Sequence, residues 1–167
     1  MKTQTILILL ISYFLSSGLN AQENTYTKKL YNPEANAKTD IANAIATAKK
    51  DGKHVLLQIG GNWCSWCIAF DKKVNETEEL KKILNDNYLV YHLNYSKENT
   101  NSDILKDLGF PQRFGFPVFV IIDANGNRIH TQNSSYLEEG KGHSIEKVKE
   151  FLESWTVQAL DPVNYKN

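Results

Sequence analysis

Apolar positions along this chain change period from helical to alternating and back, and each change marks an element. Ile41, Ala44, Ile45 and Ala48 recur at helical spacing, with Asp40 placed as an N-cap and Asp51-Gly52 closing the segment. Val55-Leu56-Leu57-Gln58-Ile59 is then a near-continuous apolar run of strand length, followed by Gly60-Gly61-Asn62 as a turn. A helix starting at Cys64 is predicted to reach about Val74. Asn75-Glu76-Thr77-Glu78 reads as a capping box that opens a second helix through Leu80, Ile83 and Leu84. Tyr88 to Leu93 alternates as a strand, Asn94 to Asn101 is polar and loop-like, and Ile104, Leu105 and Leu108 mark a short helix closed by Gly109. A further strand enters through Phe116-Pro117 and runs to Ile122, and Asp123-Ala124-Asn125-Gly126-Asn127 turns it into a partner over Arg128 to Thr131. Gln132 to His143 is a polar loop, and Ile145, Val148, Phe151, Leu152, Trp155 and Ala159 define a closing amphipathic helix ended by Asp161-Pro162.

The first residues follow a different logic. Lys2, the apolar run Ile6 to Leu15 and the small or polar residues Ser16 to Ala21 have the layout of a cleaved secretory signal. The alternative, an uncleaved anchor, has too short an apolar run, since a membrane span needs about 20 residues. The whole chain balances 19 basic against 19 acidic residues, so composition offers no reason to expect nucleic acid or an anionic membrane as partner. Roughly 146 residues remain after residue 21, enough for one domain with a core and too few for two. The expected organisation is a signal peptide over 1–21, an N-terminal extension over 22–36, one domain over 37–160 and a tail over 161–167.

Candidate chemistry is concentrated in Trp63-Cys64-Ser65-Trp66-Cys67, which holds the chain's only two cysteines. A thiol at a helix N-terminus faces unpaired backbone N–H groups and the positive end of the helix dipole, and both favour thiolate. Its pKa is expected to fall below the ordinary value of about 8.5. A bridge closing so short a loop adds little stability, so a structural staple explains the pair poorly. Closed structural zinc sites want four ligands, and His54, His92, His130 and His143 are scattered without ligand spacing. Those histidines are read as surface or loop residues, Trp155 as core, and the charged run Glu76 to Lys82 as a solvated helix face. Three sequons, at Asn75, Asn94 and Asn133, matter only in a eukaryotic secretory pathway.

The element order, with Cys-x-x-Cys after the first clear strand and Gly115-Phe116-Pro117-Val118-Phe119 leading into a later one, resembles the thioredoxin fold. The segment Lys49-Lys50-Asp51-Gly52-Lys53 before the first strand is similar to secreted thioredoxin-related proteins of the bacterial envelope. The resemblance spans about Ala37 to Leu160 and implies an α/β architecture, a central mixed sheet flanked by helices. It implies that Cys64 is the attacking thiol, Cys67 the buried resolving thiol and Pro117 a cis-proline facing them. It also implies that Trp63, Trp66, Phe116 and Pro117 contact substrate, an extended segment pairing with the backbone at Phe116.

On this reading the protein is a periplasmic thiol–disulfide oxidoreductase that reduces or isomerises protein disulfides. It would work with an unidentified redox partner, as a monomer and without metal or organic cofactor. The chain departs from thioredoxin at Gln58, where the family has a buried acid. An amide cannot accept the resolving thiol's proton. The interior pair Ser65-Trp66 lacks the histidine of strongly oxidising relatives, which favours a reductase or isomerase. The rival reading is a peptide-binding or chaperone-like module that keeps the fold and an inert disulfide.

Overall fold

The structure, a computed structural model, describes residues 29–166; the expected signal peptide lies outside the described residues. A four-stranded sheet runs in the order β2-β1-β3-β4 through β1 (His54–Gly60), β2 (Tyr88–Asn94), β3 (Val118–Ile122) and β4 (Arg128–Asn133). β1 pairs parallel with β2 and antiparallel with β3, and β3 pairs antiparallel with β4. The sheet is therefore mixed, and β1 and β3, buried along their whole length, are its centre. Burial on both faces is why these two read as near-continuous apolar runs.

Period-two alternation divides the core. Val55, Leu57, Ile59, Val118, Val120 and Ile122 face α1 (Ala37–Asp51) and α4 (Ser102–Asp107), whereas Leu56, Phe119 and Ile121 face α2 (Ser65–Glu76), α3 (Glu78–Asn87) and α5 (Ile145–Ser154). The register sets Gln58 opposite Phe119, so an amide sits on the α2 face of the central strand. Tyr88 fixes α5 to the sheet edge through a hydrogen bond from its hydroxyl to the Leu152 carbonyl, 2.6 Å.

Several expectations are corrected at element boundaries. The N-cap of α1 is Asn36, whose Oδ1 accepts from Thr39 N at 3.2 Å; Asp40 lies in the first turn and accepts from the Tyr91 hydroxyl. Buried Ala37 accounts for the earlier start, because it extends the apolar face by one turn. Asn75 is not a cap either. α2 continues through it, and its amide donates to the Asp71 carbonyl one turn back. The polar stretch after Thr131 is more ordered than composition indicated: β4 reaches Asn133, a 3-10 turn covers Ser134–Leu137, and β5 (Glu138–Glu139) pairs with β6 (Gly142–His143). Leu137, buried in the α2 face of the core, anchors this stretch. α5 ends at Ser154, and half-buried Trp155 stacks on His130 with ring centroids 4.1 Å apart. His54 and His143 are buried, contrary to the surface reading.

Candidate active site

The end of β1 delivers the chain into the turn Gly61-Asn62-Trp63, and α2 begins on its far side. Cys64 is the N-cap of α2, with extended backbone, and its Sγ accepts from Cys67 N at 3.1 Å. Its carbonyl accepts from Cys67 N and Ile68 N, the first bonds of the helix. The two cysteines are joined as a disulfide with Cα atoms 5.2 Å apart. Cys64 is 5% exposed and Cys67 is 0% exposed, so the residue nearer solvent is the one at the helix terminus. Gly60 is required here: a Cβ at that position would overlap Cys67 Sγ and stand 3.0 Å from the Tyr31 hydroxyl oxygen.

Phe116 and Pro117, joined by a cis peptide bond, lead directly into the other central strand, β3. Trp63 meets Phe116 edge to face at 5.5 Å, and Phe116 stacks on Tyr95 at 4.8 Å. The Trp63 indole donates to the Tyr95 carbonyl at 2.7 Å, which holds a side chain that is 58% exposed in a defined position. The result is an apolar wall beside the disulfide. Trp66, half-buried, points its ring toward His143 of β6, 5.3 Å away and edge on. The sequence-predicted residues thus converge from the β1–α2 turn and the start of β3, with Trp66 turned to the β5–β6 side.

Three residues of the site carried no local signal. Tyr31, only 1% exposed, packs in one cluster with Cys64 and Cys67. Its backbone is clamped by the Asn62 side chain, which accepts from Tyr31 N at 3.2 Å and donates to Tyr31 O at 2.7 Å. Its hydroxyl accepts from Gln58 Nε2 at 2.9 Å, and the same amide donates to the Cys67 carbonyl at 3.0 Å. Gln58 is therefore a fully engaged hydrogen-bond donor beneath Cys67. Tyr95 and His143 are the other two. All three are recruited by tertiary contacts, which neither periodicity nor motif spacing encodes. Burial holds the Tyr31 phenol far above its ordinary pKa; the Gln58 hydrogen bond opposes this weakly and the Asp71 carboxylate adds to it. Among the described residues, no group of three or more His, Cys, Asp or Glu side chains gathers to hold a metal ion.

A family model described as thioredoxin-like matches residues 36–124. The disulfide bond reductase DsbH of Chlamydia pneumoniae is 25% identical over 118 residues, covering 66% of this chain and 69% of that protein. Among solved structures, a disulphide isomerase from Xylella fastidiosa Temecula1 superimposes with a TM-score of 0.68 at 23% identity, covering 77% of this chain and 97% of the other. A thioredoxin from Thermus thermophilus does so at 0.50 and 17%, covering 75% and 93%. These two share the fold.

Proposed function

This chain belongs to the thioredoxin-like family, with a Cys-x-x-Cys disulfide of the thiol–disulfide oxidoreductase kind, and on that footing we propose that it reduces or isomerises protein disulfides in the bacterial envelope. The observation that carries the reading is Cys64 at the N-terminus of α2, with its Sγ accepting the Cys67 N–H and the residue less deeply buried than Cys67. A thiolate there is stabilised by the hydrogen bond and the dipole. In the reducing direction the Cys64 thiolate attacks one sulfur of a substrate disulfide, and the departing sulfur leaves as a thiolate that takes a proton from water. Cys67, losing its proton, then attacks Cys64 Sγ and expels the second substrate sulfur. The substrate disulfide gains two electrons and becomes two thiols, and the dithiol becomes the Cys64–Cys67 disulfide. A redox partner must return those electrons for a second turnover.

Trp63, Trp66, Phe116 and Pro117 form the proposed substrate contacts, with the Phe116 backbone offering an edge to an extended segment. Envelope location rests on the signal-like residues 1–21, and an oxidising compartment suits a dithiol that must meet disulfides. Among the described residues no helix is long and apolar enough to cross a membrane. The name of the Chlamydia relative favours the reducing direction.

Catalysed reduction of insulin disulfides by dithiothreitol tests the activity, and a measured reduction potential assigns the direction. Cys67→Ala should trap mixed disulfides with client proteins and Cys64→Ala should not. Absence of thiol-dependent turnover in the wild type would instead support a binding module with an inert disulfide.

A further inference from the structure

Where the family places a buried acid, this chain has a donor pair instead, and the second member of the pair comes from the segment before α1. Gln58 Nε2 spends its hydrogens on the Tyr31 hydroxyl and the Cys67 carbonyl. The hydroxyl and Cys67 Sγ converge on the space left by the missing Gly60 side chain. Among the described residues no oxygen or nitrogen accepts the phenolic proton, and the bond from Gln58 engages only a lone pair of the hydroxyl oxygen. The phenol therefore has a free donor beside the resolving sulfur.

We propose that Tyr31 is the group that stabilises the Cys67 thiolate: once the disulfide opens, its hydroxyl donates to Cys67 Sγ and makes the resolving attack possible without a buried carboxylate. The inference rests on the dithiol exchange proposed above. Burial keeps the phenol protonated at neutral pH, so it serves as donor and not as base. The proton of Cys67 leaves to water or to the departing substrate thiolate, and the phenol keeps its own. The titratable groups facing this pocket are Asp71 on α2, four residues after Cys67, and His92 on β2. His92 Nε2 lies 3.3 Å from Asp71 Oδ1 and its ring meets Tyr31 edge on at 5.5 Å. The Asn62 clamp fixes the height of the phenol relative to the site.

Tyr31→Phe removes the donor and keeps the ring. In a Cys64→Ala background, the Cys67 Cβ chemical shift followed by NMR against pH should show the thiol titrating about 1 to 2 pH units higher in Tyr31→Phe, the worth of a hydrogen bond to a charged acceptor. A fluorinated tyrosine at position 31, a stronger donor of the same shape, should move it the other way. With both cysteines present, resolution of a preformed mixed disulfide at neutral pH should slow about 3- to 10-fold in Tyr31→Phe. The loss should vanish at alkaline pH, because a thiolate of higher pKa is the better nucleophile. A merely packed tyrosine predicts no titration shift in either variant, and that result would overturn the proposal. The titration needs no turnover, so its failure is separable from failure of the oxidoreductase reading, which the wild-type insulin assay decides alone.

Discussion

Trp63, just before the first cysteine, and Phe116, just before Pro117, meet edge to face with ring centroids 5.5 Å apart although 53 positions separate them in the chain. Aromatic pairs of this geometry are worth about 0.5–1.5 kcal/mol beyond their buried area. Because Tyr95 holds both partners, through its carbonyl and its ring, the wall is expected to act as a unit. Trp63→Ala and Phe116→Ala should each raise KM for protein disulfides several-fold, with little effect on a small aromatic disulfide. The double variant should cost less than the sum, since touching residues couple. Steady-state kinetics on both substrate classes checks this, and strict additivity would mean that the two rings bind substrate independently.

Gln58→Glu places a carboxylate of the same length where the amide now donates. It would face the Cys67 carbonyl with no hydrogen to offer, a loss of about 1–3 kcal/mol for an unsatisfied buried group. The Tyr31 hydroxyl can turn to donate to it. The expected outcome is a less stable protein by denaturant titration that resolves mixed disulfides faster at neutral pH, because a base now stands beneath Cys67. Unchanged stopped-flow resolution in a folded variant would show that proton acceptance by this position does not limit the step.

The stretch after β4 reaches the site through His143, which meets Trp66, and is held to the core by Leu137, and this packing decides how its contribution is tested. Replacing Ser134 to Lys141 outright would strip Leu137 from the core and lower stability by about 2–5 kcal/mol. Tyr136, 73% exposed, can be altered without that loss. Tyr136→Ser should leave the melting temperature within a degree or two and lower kcat/KM on protein substrates only. Equal effects on a small disulfide would place specificity elsewhere.

His54, His130 and His143 all have pKa values held below the ordinary 6.5, in each case chiefly by burial. Asp123 opposes the shift at His54, the Gln132 hydrogen bond opposes it at His130, and Glu138 opposes it at His143, where Lys73 adds to it. The unfolded chain then binds protons that the folded chain resists. Stability should be fully present above about pH 6.5 and decline as pH falls below it, by at most about 1.4 kcal/mol per pH unit for each proton taken up. Denaturant midpoints at pH 7.5 and 5.5 measure the slope. His54→Leu, which removes a ring whose two nitrogens have no hydrogen-bond partner among the described residues, should flatten it.

What the chain determined by itself was whatever depends on neighbours in sequence. β1 and β3 were legible because strands buried on both faces are apolar throughout. The Cys64 cap followed from a turn meeting a helix, whereas the departure at Gln58 was visible only against the resemblance to thioredoxin. Only the tertiary structure decided what the segment before α1 does. Tyr31 and Asn62 are joined by hydrogen bonds across 31 residues, and Tyr31 and Gln58 across 27. No periodicity announces such contacts, because a single buried side chain on an irregular segment has no period. The cap at Asn36 and the ordered turn after Asn133 escaped for a related reason: Ala37 and Leu137 are lone apolar residues whose burial depends on what folds over them. Against the resemblance to thioredoxin, the amide at position 58 reads as a missing acid. The folded chain brings a phenol down onto it, because the space beside Gly60 must be filled and the amide's hydrogens must be satisfied.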